Sequence, residues 1–230
     1  RPDRATIVYA NRAREAFGSE VPIIIGGLEA SLRRFAHYDY WDDKVRRSIL
    51  FDSGADLLVY GMAEEAEREI ARRLKKKIPV SEMHDIRGTA FIAASPSECA
   101  FESVSVPSYA EVRENKRLYA DATRIEYREH DPVRGKAIIQ EHDGRYLIVN
   151  PPMMPLETKE LDRVAELPYV RTYHPMYEAE GGVPAIEEVR FSVIHNRGCF
   201  GGCNFCALAF HQGRMVTSRS HESVIREVTE

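Results

Sequence analysis

The stretch Val21-Pro-Ile-Ile-Ile25, closed by Gly26-Gly27, decides the fold class of this chain. It is short, apolar and rich in β-branched residues, which is typical of a strand buried on both faces of a parallel sheet. A second strand is predicted at Asp56–Tyr60, where Gly61 ends it. The helices predicted around these strands are Thr6–Ala16, Glu29–Arg34 and Ala63–Lys77. The alternation predicts an α/β fold that begins with a Rossmann-like parallel-sheet amino-terminal domain.

Glycines mark the place where such a sheet would bind a ligand. In doubly wound sheets ligands bind beyond the carboxyl ends of the strands, and Gly26-Gly27 and Gly61 lie there. One interpretation is a small-molecule or cobalamin-type pocket, and the other is a pair of tight turns. The pattern Asp-x-His-x-x-Gly, which usually ligates cobalamin, does not occur in the sequence, so cobalamin is unsupported.

The middle of the chain predicts a helix and a hairpin. The helix is expected at Tyr109–Tyr127, where Glu, Arg and Lys are frequent. Ala137–Gln140 and Tyr146–Val149 read as two strands joined by a turn at Asp143-Gly144, a dipeptide that favours tight hairpins. Cys99, among small residues, is predicted to be a buried structural cysteine.

Aromatic residues are concentrated in His37-Tyr-Asp-Tyr-Trp41, followed by acidic and basic residues. Aromatics interleaved with cations can stack nucleic-acid bases. They also commonly pack at a domain interface. We favour the interface, because Asp42 and Asp43 nearly cancel the neighbouring basic charges.

The last part of the chain predicts the beginning of a second domain. A helix is expected at Glu157–Glu166, a strand at Val189–Ile194 and a further helix from Ser220, a good N-cap. A strand, a loop and a helix form the first β/α unit of a TIM-type barrel, whose full length is about 250 residues. The predicted domains are residues 1–100, 101–185 as a mixed segment and linker, and 186–230 as a partial barrel.

Between that strand and that helix lies the segment Cys199-Phe-Gly-Gly-Cys203-Asn-Phe-Cys206, which holds three of the four cysteines. Thiolates suit iron–sulfur clusters, and a [4Fe–4S] cluster normally takes four of them. Only three are close together here, so one iron would be left to bind something else. Zinc is an alternative, with His195 or His211 as a fourth ligand. A disulfide is disfavoured, because three clustered thiols leave one unpaired.

The spacing Cys-x-x-x-Cys-x-x-Cys, the preceding Arg197-Gly198 and the aromatic Phe205 resemble the signature of the radical S-adenosylmethionine (radical SAM) superfamily. The flanking residues, from Phe191 to Arg214 and then Ser218-Arg-Ser220, resemble the YgiQ-type radical SAM proteins. The resemblance implies a [4Fe–4S] cluster with SAM at the open iron. It also implies reductive SAM cleavage to methionine and a 5′-deoxyadenosyl radical, which abstracts a substrate hydrogen.

The resemblance also implies roles for individual residues. Cys199, Cys203 and Cys206 would each bind one iron, and Phe205 would lie near the adenine of SAM. No catalytic residue is assigned. His211, Arg214 and Arg219 are candidates for steering carboxylates or for stabilising the loop, and they stay outside the predicted site. A reductant such as flavodoxin or ferredoxin is the implied electron donor.

Two alternatives to this function stay open. Enzymes that methylthiolate tRNA or protein share the Arg-Gly-Cys…Ser-Arg layout, but they carry three further cysteines upstream, whereas this chain has only Cys99 there. The second alternative is a non-catalytic iron–sulfur or zinc interaction module. The substrate is not indicated by the sequence.

Composition bounds the partners and the compartment. The 230 residues are 43% hydrophobic and 30% charged, with a formal charge of −4, so no overall attraction to nucleic acid is indicated. No apolar run approaches the roughly 20 residues that span a bilayer. Sparse cysteines and an oxygen-sensitive cluster favour the cytoplasm. Because the chain begins at Arg1 and not at Met, we expect it to be an excerpt.

Overall fold

The structure is a computed structural model and describes residues 4–203 and 205–229. The chain divides into two compact units. The first comprises the residues up to Met154 together with Gly201–Arg214, and the second comprises Pro155–Phe200 and the residues from Met215 onward. The boundaries predicted near residues 100 and 185 do not coincide with these units, because strands from both sides of residue 100 join one sheet.

The described helices are short to medium in length. In chain order they are α1 (Ala5–Phe17), α2 (Gly27–Leu32), α3 (Ile49–Ser53), α4 (Glu64–Lys75), α5 (Tyr109–Glu114), α6 (Lys116–Glu129), α7 (Thr158–Ala165), α8 (Ile186–Val189), α9 (Leu208–Gln212) and α10 (His221–Thr229). Short 3₁₀ helices occur at Val80–Glu82, Pro96–Glu98 and Pro175–Glu180. None of these helices is long and apolar enough to cross a membrane within the described part of the chain.

The strands are short as well. In chain order they are β1 (Ile24–Ile25), β2 (His37–Asp39), β3 (Lys44–Arg46), β4 (Leu57–Val59), β5 (Thr89–Ala93), β6 (Ser103–Ser105), β7 (Ala137–His142), β8 (Arg145–Val149), β9 (Asn196–Arg197) and β10 (Thr217–Ser218). Six strands of the first unit form one sheet in the order β1-β4-β5-β8-β7-β6. Two apolar clusters pack in that unit, one of them around Leu50 and Leu58 and the other around Leu57 and Ile148.

The structure confirms an α/β fold with a central sheet. The predicted pair β1 and β4 is parallel, with Ile24 opposite Leu57, and β6 and β7 are also parallel. The three pairings between them are antiparallel, so the sheet is mixed in direction. The central hairpin is one cause, because a two-residue turn can join only antiparallel strands.

The first strand is shorter than predicted for a local reason. Pro22 carries no N–H for a strand ladder. At Ile23 the backbone N–H donates to the Asp56 side chain at 2.7 Å, and the Asp56 N–H donates to the Ile23 carbonyl at 2.8 Å. Regular pairing therefore begins only at Ile24.

The predicted helix Tyr109–Tyr127 is in fact two helices. Asn115 between them has an extended backbone, with φ −132° and ψ 107°. Its side-chain oxygen accepts from the N–H groups of Arg117 and Leu118 and so caps α6. Asparagine competes in this way with the helical backbone, which breaks the element.

The hairpin at Asp143-Gly144 is confirmed. Strands β7 and β8 pair antiparallel with His142 opposite Arg145. Asp143 and Gly144 have φ values of 52° and 82°, the left-handed conformation at both central residues that a type I′ turn requires.

The aromatic segment forms a separate two-stranded ribbon from β2 and β3. The buried Asp39 carboxylate accepts from Arg4 at 2.9 Å and pairs with Arg46 at 2.9 Å, which fixes the ribbon. At its tip Tyr40 and Trp41 stack with ring centroids 4.7 Å apart and remain largely exposed. The predicted interface role for this tip stays a prediction.

In the second unit the predicted strand Val189–Ile194 is wrong. Its first residue ends helix α8, and the following N–H of Ser192 donates to the Val189 carbonyl in a turn. Two acidic residues in the first turn, Glu187 and Glu188, favour the helix through its dipole. Phe191 is 90% exposed, so no sheet face buries this segment in the described structure.

The helix expected from Ser220 is confirmed as α10. The Ser220 hydroxyl accepts from the Ser223 N–H at 3.1 Å, as an N-cap does. Of the strand, loop and helix predicted from residue 186, the structure contains the helix, and the short antiparallel pair of β9 and β10 precedes it. The barrel itself stays a prediction.

Candidate functional site

The boundary between the two units falls inside the cysteine segment, after Phe200. Cys199 is half-buried and belongs to the second unit, whereas Cys203 and Cys206 are exposed and belong to the first. The N–H of Cys206 donates to the Cys203 carbonyl at 3.1 Å, which forms a tight turn. Asn204 lies outside the described residues.

Glycine next to the first cysteine has a clear steric reason. Gly198 has φ 86°, and a Cβ placed there would lie 2.1 Å from the Met215 carbonyl oxygen. Any other residue would therefore push β9 away from β10 just before Cys199. The backbone entering the cysteine segment is fixed by this close approach.

The donor set fits a cluster by its chemistry. It consists of three thiols within eight residues, with Gly201 and Gly202 between the first two. Among the described residues, no three His, Cys, Asp or Glu side chains are arranged to hold a metal ion. The assignment of Cys199, Cys203 and Cys206 as iron ligands therefore stays a prediction that rests on spacing and ligand type.

Phe205 is 93% exposed. An aromatic ring left in water beside a ligand-binding segment is available for stacking on a planar group. Its predicted place near the adenine of SAM is not tested by the structure and stays a prediction.

The segment after Cys206 docks on the first unit through α9. Ala209 is buried, and Phe210 packs against the main apolar cluster. At the end of β4, a Cβ on Gly61 would lie 3.1 Å from the His211 carbonyl oxygen. Gly61 thus allows the backbone of α9 to approach the carboxyl end of β4. Helix α9 occupies the place that the sequence analysis considered for a small-molecule pocket.

A buried arginine holds α9 in place. Arg34 is 1% exposed, and its guanidinium carbon lies 4.3 Å from the ring centroid of Tyr60 and 4.2 Å from that of Phe210. Its Nη1 donates to the Ser31 carbonyl, and Nε has no hydrogen-bond partner among the described residues. Burial lowers the pKa of Arg34 to about 10, so it stays charged at neutral pH. Cation–π contacts with both rings stabilise this charge.

Two further titratable groups, Glu126 and His130, lie near Arg34. Burial raises the pKa of Glu126 to about 8, although the charge of Arg34 opposes the shift. Burial, and then Arg34, lower the pKa of His130 to about 3, and Nδ1 of this neutral ring lies 3.4 Å from Nη2 of Arg34. At neutral pH the cluster therefore holds one cation beside a largely protonated carboxyl group and a neutral imidazole.

We expect the Glu126→Gln variant to be more stable than the wild-type chain at pH 8 but nearly equal to it at pH 4.5. An acid whose pKa rises from 4.5 to about 8 on folding contributes stability that is lost as pH rises through that window. Between pH 4.5 and neutral pH, the free energy of unfolding of the wild type falls by about 3 kcal/mol on this account alone, because each pKa unit corresponds to about 1.4 kcal/mol. Urea unfolding at several pH values measures this free energy, and Glu114→Gln, at an exposed position, is the control. Parallel pH profiles of stability for the wild type and Glu126→Gln would contradict the raised pKa of Glu126.

A groove runs along α6 beside the second and third cysteines. Its volume is about 570 Å³. Its walls are Tyr119, Ala120, Thr123, Arg124 and Tyr127 from α6, and Gly202, Cys203 and Cys206 from the cysteine segment. Arg214 lies over the Tyr127 ring, 4.4 Å from its centroid, and donates to its hydroxyl group.

The other candidates from the sequence have structural roles in the described parts. Arg219 is buried, donates to the Ile194 carbonyl and pairs with Glu227, so it stabilises the second unit. Cys99 is half-buried, slightly less than predicted, and packs against the second apolar cluster.

The comparisons with known proteins identify the class. The family described as Radical SAM N-terminal matches residues 1–192, which is most of the chain. The chain therefore belongs to the Radical SAM N-terminal family. This match ends before Cys199, so the cysteine segment follows the matched region directly.

The relatives that match this chain in sequence are longer than it is. A "UPF0313 protein" of Clostridium perfringens is 57% identical over 230 residues, covering 100% of this chain and 35% of the relative. A "UPF0313 protein" of Clostridium botulinum is 54% identical over 227 residues, covering 99% of this chain and 35% of the relative. The chain thus spans about a third of the length of these relatives. No solved structure matches it.

Proposed function

We propose that this chain is part of a radical SAM enzyme in which Cys199, Cys203 and Cys206 bind a [4Fe–4S] cluster and SAM binds the open iron. The observation that carries the proposal is the cysteine spacing directly after a Radical SAM N-terminal region. Membership of that family favours iron–sulfur and SAM chemistry over a zinc module. Within this chain Cys99 is the one cysteine upstream of the motif, and the three further cysteines of methylthiotransferases are not among its residues.

When bound, the cluster and SAM would supply one-electron cleavage of the sulfonium group and a carbon radical that abstracts a substrate hydrogen. The protein contributes positioning and exclusion of water. Cys206 is two residues before α9, which Phe210 and Arg34 hold against the first unit. Cys199 follows Gly198 in the close approach to Met215. Two of the proposed ligands are therefore next to fixed backbone, while Gly201 and Gly202 leave the connection between them adjustable.

The remaining partners follow from this chemistry. The cluster needs a one-electron reductant, for which a flavodoxin or ferredoxin is suited, and a reducing compartment such as the cytoplasm. Phe205, exposed beside the last ligand, would stack on the adenine of SAM.

The proposal is tested by the products of SAM. We expect the intact protein, reconstituted with iron and sulfide without oxygen and then reduced, to convert SAM to methionine and 5′-deoxyadenosine. The reaction is followed by chromatography, with unreconstituted protein as the control. A reconstituted cluster that never yields 5′-deoxyadenosine would favour the non-catalytic module.

A further inference from the structure

The groove along α6 has the dimensions of a small-molecule site. Its volume of about 570 Å³ lies inside the usual range for such sites. One wall contains Cys203 and Cys206, and the other is the face of α6 that carries Tyr119, Thr123 and Tyr127. A molecule in this groove would therefore be next to two of the proposed cluster ligands.

The spacing along α6 shows why this face is available. Tyr119, Thr123 and Tyr127 recur every four residues, so they lie on one side of the helix. Ala122 and Glu126 are buried where the helix packs against its own unit, and the partly buried Tyr119 packs against the main apolar cluster beside them. Thr123, Arg124 and Tyr127 are exposed, so this part of the groove face is not required for the packing of α6.

Guanidinium groups give the groove a positive edge. Arg124 lines it, and its pairing with Asp121 at 3.3 Å is between exposed side chains. Such exposed ion pairs contribute little, so a ligand can replace Asp121 at low cost. Arg214 stacks on the wall residue Tyr127, and no carboxylate partner is found for it in the described parts of the chain. Arginine is suited to bidentate recognition of carboxylate or phosphate.

We propose that this groove binds the substrate of the enzyme, and that the substrate is an organic anion with an apolar body. Its acidic group would bind Arg124, with Arg214 nearby, and its apolar part would lie against Tyr119 and Tyr127. The inference rests on the proposed function, because a radical formed at the cluster can abstract a hydrogen atom only from a carbon that is held next to it. It assigns substrate binding to the amino-terminal region of the protein.

The test uses the intact, reconstituted protein and the fluorescent aromatic sulfonate ANS as a probe. Three variants are compared with the wild type: Arg124→Glu reverses the charge, Thr123→Trp fills the groove, and Arg117→Glu is the control. Arg117 lies on the same helix two turns earlier, about 10 Å away, and does not line the groove. The EPR response of the reduced cluster to SAM is recorded for each protein.

We expect Arg124→Glu and Thr123→Trp each to weaken ANS binding at least about tenfold, since each removes a charge-assisted contact or the space itself. Arg117→Glu should bind ANS as the wild type does, and all variants should keep the SAM response. Equal ANS affinity in all four proteins would overturn the proposal. Loss of the SAM response together with ANS binding would assign the groove to SAM and also overturn it.

Failure of the proposed function gives a different pattern. In that case the wild type shows no SAM response, while ANS binding still depends on Arg124 and Thr123. This result would reject the substrate assignment and leave the groove as an organic-anion site.

Discussion

A Cys203→Ala variant is expected to lose the [4Fe–4S] cluster, with iron and sulfide after reconstitution falling at least about tenfold, because two thiolates do not hold a cubane that needs three from the chain. Formation of 5′-deoxyadenosine should be abolished with it. The folded structure should persist, since Cys203 is exposed and its removal creates no cavity. Iron and sulfide analysis, far-ultraviolet circular dichroism and SAM turnover measure the three properties.

The control for this variant is Cys99→Ala. Cys99 packs against the second apolar cluster and lies 100 residues before the motif, so its removal should lower stability slightly and leave the iron content unchanged. Full retention of iron and sulfide in Cys203→Ala would contradict the ligand assignment. Loss in both variants would indicate that misfolding, and not ligand removal, explains the result.

The Arg34→Ala variant is expected to lower the free energy of unfolding by about 3 kcal/mol and to release α9 from the first unit. The substitution removes a fully buried side chain from between the rings of Tyr60 and Phe210 and leaves a cavity there. Relief of the desolvation cost of the cation offsets part of this loss. Urea unfolding measures the stability, and limited proteolysis after residue 206 measures the release.

A neighbouring arginine provides the matched control. Arg33 pairs with Glu29 at 3.1 Å on the partly exposed side of α2, and Arg33→Ala should cost at most about 0.5 kcal/mol. Arg34→Met, which keeps most of the volume without the charge, should be intermediate in stability. If Arg34→Ala unfolds and is cleaved like the wild type, the buried arginine does not hold α9.

The elements that sequence analysis predicted well are those with local signals. The hairpin at Asp143-Gly144 and helix α1 follow from a turn dipeptide and from helical periodicity. The helix pair around Asn115 was merged into one helix, although an asparagine inside a charged helix indicates a cap. The strand Val189–Ile194 was wrong, because apolar residues alone do not separate a strand from a turn and a short helix.

The candidate site also has one part that the sequence predicts and one part that it does not. The cysteine spacing is a contiguous motif, so it is visible in the sequence, and Phe205 is part of it. The cluster formed by Arg34, Glu126 and His130 consists of residues up to 96 positions apart, and no local sequence pattern predicts it. These side chains come together only in the folded chain, where Arg34 lies beside the His130 ring and Phe210 of α9 contacts both residues.

In the proposed function, one iron of the three-cysteine cluster is open to SAM. EPR spectroscopy of the intact protein, reconstituted without oxygen and reduced, tests it directly when spectra are recorded before and after addition of SAM. We expect a reduced [4Fe–4S] signal that shifts on addition of SAM. A cluster signal that SAM leaves unchanged, or a protein that binds zinc and no cluster, would contradict it.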